Sequence, residues 1–477
     1  MSSRVLAVDL GATSGRVIEA SIGPNHLDYS VVHRFPNGPH VMSDGLHWNV
    51  TALFAEVLTG LSLAASSGGG IASIGVDSWA VDYGLLQNGQ LLVEPFHYRD
   101  ERTQYGVERV HGAMPFDELF VENGLQFMPI NTLYQLAAED WPGQSGSADA
   151  LLMIPDLINY WLTGESFTEI TNASTTGLLD IATGDFSPAI IDLTGAKPEI
   201  FAPLIEPGHV VGNLLAERSE ALGFRAPVIA VGSHDTASAV VAAPLASASS
   251  AYISCGTWGL VGVEVSKPIL SEAARAANFT NERGVDGRIR FLHNVMGLWL
   301  LNESVSHWNK LGDTRGVEEL VLAASSYSHA VPVFDVADPV FMAPGDMPSR
   351  IANWFSERGL AHGPDPVFVV ASIMESLARA MAETVHTAGL LSGTDVREIC
   401  IVGGGSAIPS LCQKISNAAG VPVVAGPVEA TALGNILVQA RAIGLIDGDL
   451  GSLRALVRRT ADLVIYQPHI DRKNFYG

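Results

Sequence analysis

Two glycine turns of one build constrain this chain more than any other feature. VLAVDLGATSGR at residues 5–16 and AYISCGTWGL at 251–260 each follow an apolar strand, and GSHDTASAV at 232–240 lies between them. Small residues at a strand end leave backbone amides accessible and make a turn of phosphate size. A chain that opens each half in this way, with an acidic residue near the crossing, is predicted to form two α/β domains that close on a nucleotide.

The 477 residues accommodate two such domains, each within the usual range for large α/β proteins. Apolar residues make up 47% of the chain with no uninterrupted run long enough for a membrane span, so they read as buried strands and helices. MSSRVLAVDL enters a strand directly, without a basic or apolar leader, which predicts a cytoplasmic protein. Cys255, Cys400 and Cys412 fit neither a disulfide framework nor a zinc site and are expected as buried, reduced thiols. Fifty acidic residues against 27 basic ones give a net charge of −23, which disfavours nucleic acid and anionic membranes as partners. An anionic substrate must then be gripped by local backbone dipoles and a metal ion.

Periodicity places the elements. Strands are predicted at 4–10, 16–22 and 27–34, a hairpin extended into a meander. Leu53, Val57, Leu61 and Ala64 recur at helical spacing, whereas 71–86 is apolar, β-branched and aromatic. Helical segments fill 115–165, and PVIAVG at 227–232 is a strand leading to His234, Asp235 and Thr236. In the second half strands are expected at 251–255, 258–265, 398–402 and 421–425, and helices at 366–388, 408–418 and 430–443. Ile373, Leu377, Met381 and Val385 form the buried stripe of the first of those helices, with Glu375 four residues before Arg379. The small-residue run at 243–250 is the expected hinge, dividing the chain into domains 1–242 and 243–477.

In DLGATSGR, Gly11 and Gly15 are expected to turn the backbone and aim amides inward, Thr13 and Ser14 to add hydroxyls, and Arg16 a cation for phosphate. Asp9 beside that turn suits Mg²⁺ held through water. On its own the segment reads equally as a plain hairpin. SCGTWG repeats the device with Ser254, Gly256 and Thr257, and GGGS at 403–406 gives up helix and strand propensity in favour of close backbone approach. Asp235, at the carboxyl end of an apolar strand, is placed as a general base, as a helix N-cap, or as both. Asp77, Trp79 and Asp82 combine acceptors with an apolar ring, as a polyol requires, Asp82 reading more readily as a turn residue. Arg99, Asp100 and Arg102 read as a surface ion-pair cluster.

Taken in order, VDLGATSGR, GVDSWAVDYGLL, YRDERT, MPINTLYQL, TNASTTGLLD, SHDTASAV, SCGTWGLVG, NVMGLWLLN, IVGGGS and AGPVEATALGN resemble the FGGY carbohydrate kinase family in a single register from about residue 4 to 468. The resemblance implies two actin-like (ribonuclease H-like) α/β ATPase domains with ATP and sugar in the cleft between them. It implies Mg²⁺-dependent transfer of the γ-phosphate to the 1-hydroxyl of a ketose, L-rhamnulose ahead of L-fuculose or xylulose. Asp235 would be the base, and His234 and Thr236 sugar contacts, together with Asp77, Trp79 and Ala80. Ala12, Thr13, Ser14, Gly15 and Arg16 would form the first phosphate loop, with Asp9 near magnesium. Thr257 would face the phosphates, Asn294 and Asn302 the nucleotide side, and Gly403, Gly404 and Gly405 the adenosine. Ala80 stands where the family more often has glycine, and Asn302 where it often has glutamine. The partners implied are ketose and ATP, with the chain a monomer or homodimer. The rival expectation, an actin-like ATPase switch without a sugar acceptor, has no use for the polar surroundings of Asp235 or for the Asp77/Trp79 pair.

Overall fold

The computed structural model describes residues 4–327, 329–360 and 363–469. The chain forms two compact units. One holds the chain as far as Ala242 together with Glu264–Phe291 and Ala430–Thr460; the other holds Ala243–Val263, Leu292–Glu429 and the chain from Ala461 onward.

The first unit is built on a six-stranded sheet in the order Val210–Asn213, Pro227–Ile229, Ile71–Ser78, Arg4–Leu10, Ser14–Gly23, His26–Pro36. Arg4–Leu10 pairs antiparallel with Ser14–Gly23 and parallel with Ile71–Ser78, which is itself parallel to Pro227–Ile229. Covered on both faces, the central strands read as nearly continuous apolar runs. Leu6, Val8 and Leu10 point to one face, where Leu53, Val57, Leu61 and Ala64 of helix Val50–Ser66 join them in the core. The alternate residues face helix Ala430–Ala442, whose Gln439 donates to the Leu6 carbonyl at 3.0 Å and accepts from Ser73 at 2.7 Å. This buried polar ladder ties residues 430–460 to a sheet some 350 residues earlier in the chain, a link invisible to a linear division at 243.

Helix Ala430–Ala442 also packs against helix Asp235–Ala242 with Gly434 at the closest approach, where a Cβ would meet the Ser238 carbonyl. Gly434→Ala is therefore expected to destabilise the protein by about 1–3 kcal/mol, seen as a lower urea midpoint at unchanged slope. An unchanged midpoint would show that the two helices separate freely.

The second unit carries strands in the order Ile289–Met296, Trp258–Val265, Ser250–Cys255, Glu398–Val402, Val423–Ala425, Val464–Tyr466. Ser250–Cys255 is antiparallel to Trp258–Val265 and parallel to Glu398–Val402, and Glu398–Val402 is parallel to Val423–Ala425. The first unit's plan, an antiparallel hairpin followed by parallel strands on its other side, thus recurs. In helix Pro366–Ser392 the expected stripe Ile373, Leu377, Met381, Val385 is buried, and Glu375 bonds Arg379 at 3.0 Å and Lys414 at 2.8 Å.

Two stretches differ from expectation. The predicted helical run 115–165 contains the strand Ala150–Met153, which pairs with Tyr83–Gln87; four buried apolar residues carry no period that separates strand from helix. The run 71–86 is split into two strands at Val81, whose φ is +68°. The Asp82 amide donates to the Ala80 carbonyl across it at 3.0 Å, a positive-φ γ-turn that is strained for a β-branched residue. Cys255, Cys400 and Cys412 are buried and form no disulfide among the described residues. Among the described residues no helix is long and apolar enough to cross a membrane.

Candidate active site

Three parallel strands of the first unit end side by side. Their register sets Asp9 next to Asp77 and Ser78 next to His234, at the carboxyl edge where open α/β sheets bind ligands. Asp9 is almost fully buried and lies opposite Arg16 across the hairpin, which donates to Asp9 Oδ2 from Nε at 2.8 Å and pairs through Nη2 at 2.7 Å. The cation expected for phosphate is thus already engaged by the carboxylate expected for magnesium. The Gly11 amide donates to the Ser14 carbonyl at 3.0 Å, so Ala12 and Thr13 form a two-residue loop, which Asn37 braces by donating to the Gly11 and Thr13 carbonyls. Gly15 corrects the sequence reading: it lies in the strand beyond the turn, and glycine is needed there because the Phe35 ring covers it from the neighbouring strand.

Asp77 is fully buried; its Oδ2 accepts from Asn435 Nδ2 at 2.5 Å, and its Oδ1 has no hydrogen-bond partner among the described residues. Burial, and next the nearby charge of Asp9, push its pKa well above the usual carboxylate range.

Asp235 is the first residue of helix Asp235–Ala242. The amides of Ala237 and Ser238 donate to the His234 carbonyl, so His234, and not Asp235, holds the cap position. The Asp235 side chain keeps 33% of its surface exposed. Its Oδ1 accepts from Thr236 Oγ1 at 3.2 Å and faces His234 Nε2 at 3.4 Å. Displacement of water by the surrounding protein raises its pKa, opposed by His234 and reinforced by Asp9.

The support behind this loop comes from residues that the sequence reading missed. Arg290 and Glu282, both buried, stand behind the His234 ring: Arg290 Nη2 lies 3.0 Å from His234 Nδ1 and 3.0 Å from Glu282 Oε2. Buried Glu169 accepts from the Ser233 amide at 3.0 Å, the Ser233 hydroxyl at 2.7 Å and the Thr171 amide at 2.9 Å, so it pins the backbone entering His234. The one signal available was a charge set directly between apolar residues, as with Arg290 between Ile289 and Phe291.

Trp79 turns away from Asp77. Its indole donates to Asp82 Oδ2 at 2.9 Å, the Trp48 indole donates to the same oxygen at 2.5 Å, and Gln135 donates to Oδ1 at 2.9 Å. Burial raises the Asp82 pKa to about 7 against these donors. The polyol pairing of Asp77 with Trp79 is thus replaced by Asp82 as an indole anchor. Ala80 is half-buried and outside the left-handed region, so the backbone freedom of glycine is not required there; the strain lies one residue on, at Val81. Of Arg99, Asp100 and Arg102, the Arg102 side chain pairs with Glu139 at 3.0 Å and lies over the Phe96 ring, while Asp100 accepts from the Leu46 amide and from the Arg102 backbone amide.

In the second unit Ser254 and Val402 are partners on adjacent parallel strands, so the turn of Gly256 and Thr257 and the Gly403–Gly405 run emerge at one edge. Gly403 has φ +79°, and a Cβ on it would meet the Cys255 carbonyl; one on Gly405 would meet the Cys255 side chain. These two glycines are required by the chain's own Cys255, while Gly404 is exposed. The Leu298 and Trp299 amides donate to the Gly256 and Thr257 carbonyls at 2.9 and 3.2 Å, bracing the turn from the start of helix Trp299–Lys310, on which Asn302 is exposed. Asn294 is half-buried on strand Ile289–Met296.

Residues 5–242 match the N-terminal domain, and residues 251–443 the C-terminal domain, of the FGGY family of carbohydrate kinases. The chain is 38% identical to the rhamnulokinase of Bacteroides thetaiotaomicron over 98% of its own length and 96% of that protein. It is 39% identical to that of Pectobacterium atrosepticum over 98% and 93%. Among solved structures, a ligand-bound xylulose kinase from Lactobacillus acidophilus superposes with TM-score 0.78 at 17% identity over 98% of this chain and 94% of that one. Plasmodium falciparum glycerol kinase with ADP gives 0.77 at 16% over 99% and 95%. The two-unit α/β architecture is the actin-like, ribonuclease H-like ATPase fold expected from the sequence. By both domain matches and by full-length relatives, this chain belongs to the FGGY family of carbohydrate kinases.

Proposed function

We propose that this chain is a rhamnulokinase that transfers the γ-phosphate of ATP to the 1-hydroxyl of L-rhamnulose. The observation that carries the reading is Asp235: a carboxylate held on one oxygen at a helix start, at the edge of parallel strands, in a chain 38% identical to a rhamnulokinase along nearly its whole length. Its raised pKa suits a base that takes the proton of the sugar hydroxyl as the oxygen–phosphorus bond forms and the bond to ADP breaks. His234, Thr236 and the Ala80 segment hold the ketose, with Trp79 and Asp77 shaping the wall behind. The turn Ala12–Ser14 forms a first phosphate loop, with Gly15 and Arg16 on the strand that follows it, Thr257 with Asn294 and Asn302 a second set of nucleotide contacts, and Gly403–Gly405 the adenosine border.

Asp9 raises the pKa of both Asp77 and Asp235, so these carboxylates repel one another in a way that a divalent cation relieves. Mg²⁺ suits such a place, because it keeps its waters and needs one or two carboxylates beside the phosphates. Asp9 is the residue that would hold it, through water, and the ion's charge would offset that on the transferring phosphate.

The test is ADP release with L-rhamnulose, L-fuculose and D-xylulose in parallel. The expected result is a kcat/KM for L-rhamnulose at least about tenfold above the others. Equal or better turnover of L-fuculose overturns the substrate, and full-rate ATP hydrolysis without ketose overturns the kinase reading in favour of a switch.

A further inference from the structure

We infer that Arg290 and Glu282 are positioning residues for phosphoryl transfer: they fix His234 as a neutral imidazole protonated on Nε2, so that Asp235 Oδ1 is held and Oδ2 takes the sugar proton. The inference rests on the kinase reading only for its consequence; the arrangement of the ring is a property of the first unit itself.

A guanidinium has donors and no acceptor. With Arg290 Nη2 at 3.0 Å from His234 Nδ1, Nδ1 must offer a lone pair, because a protonated Nδ1 would set one N–H against another. The ring proton then sits on Nε2, which faces Asp235 Oδ1 at 3.4 Å. Glu282 Oε2 also stands 3.4 Å from Nδ1, but the guanidinium is nearer and lies 3.0 Å from that same oxygen. Glu282 therefore serves chiefly as the counter-charge for a fully buried arginine. Burial opposes its ionisation, yet the Arg290 charge leads the effects that outweigh this and hold it below the usual range.

The consequence falls on Asp235. Oδ1 faces two donors, His234 Nε2 and Thr236 Oγ1, which stops the carboxylate from rotating and makes Oδ2 the basic oxygen. An imidazolium at 234 would instead hold Asp235 as an ion pair and weaken it as a base. Two buried charges behind a neutral histidine thus keep the base strong and oriented, as second partners of catalytic histidines do elsewhere.

The first measurement is a long-range ¹H–¹⁵N spectrum of the ¹⁵N-histidine-labelled protein at pH 7.5, with His234 assigned by its loss in His234→Gln. The expected pattern is the Nε2–H tautomer; an Nδ1–H tautomer or an imidazolium overturns the inference. The second uses Arg290→Met with Glu282→Leu, which removes both charges together and strands neither. The expected kcat is about 10- to 100-fold lower with KM for ketose and ATP within about threefold, and the Nε2–H pattern is lost. A folded double variant with wild-type kcat and unaltered tautomer overturns it. If that variant does not fold, the wild-type spectrum alone decides. No ketose is needed for the spectrum, so failure of the rhamnulose assignment and failure of this inference are separate outcomes.

Discussion

Replacing Asp235 with asparagine is expected to lower kcat by about 100- to 10 000-fold, with the protein folded and ATP still bound. The change is isosteric, and an asparagine oxygen can accept from Thr236 Oγ1 as Oδ1 does now and face the His234 ring in the same place. What disappears is the site that receives the hydroxyl proton. Stability follows from the sign of the pKa shift. A carboxyl whose folded pKa is raised contributes stability that is present below its unfolded pKa and is lost as pH rises through the folded value. Ionisation of Asp235 is thus a burden on the fold, lightened by its partial exposure. The asparagine variant should melt at the wild-type temperature or above, and bind ATP in calorimetry with a similar affinity. Loss of activity together with a lowered melting temperature would trace the defect to folding, and retention of kcat within a few-fold would mean that a different base operates.

Much of the scaffold around Asp235 was legible because it is written locally. Strands 4–10, 258–265 and 398–402 have the ends that periodicity predicts, and the stripes Leu53–Ala64 and Ile373–Val385 need only a 3.6-residue repeat to be recognised. An acidic residue after an apolar strand is likewise a local sign. Glu169, Glu282 and Arg290 escaped because their meaning lies in partners far along the chain: Glu169 acts on Ser233, and Arg290 on His234. Burial of such groups is tolerable only when they are paired, and the pair exists only once strand Thr280–Arg283 and the start of Ile289–Met296 are counted with the first unit. Glycines were misread for a related reason. A missing Cβ announces a close neighbour without saying whether that neighbour is a ligand or the chain itself; at Gly15 it is Phe35, and at Gly403 and Gly405 it is Cys255. Asp77 and Asp82 show the same limit, since spacing alone could not tell which of them would bond Trp79.

Asp82 gives the largest expected effect on stability. Asp82→Ala leaves the buried indole N–H groups of Trp48 and Trp79 without their acceptor and takes one partner from Gln135. With each orphaned buried donor costing on the order of 1–3 kcal/mol, the total is expected at about 3–5 kcal/mol. It should appear as a lower urea midpoint and as altered tryptophan emission, because the two rings lie 4.1 Å apart, tilted by 36°. The pH dependence separates lost hydrogen bonds from mere lost volume. The folded pKa of Asp82 is raised to about 7, above an unfolded value of about 4. Its ionisation therefore costs stability that is intact below the unfolded value and lost progressively as pH rises through about 7. Between pH 5 and pH 8 the wild type should lose stability that Asp82→Ala does not lose, so the gap between the two proteins is widest at acid pH and narrows toward alkaline pH. Other buried carboxyls with raised pKa, Asp77 and Asp156 among them, titrate in both proteins and drop out of the difference. A gap that stays constant across this range would mean that Asp82 is ionised throughout, held as a full anion by two indoles and an amide.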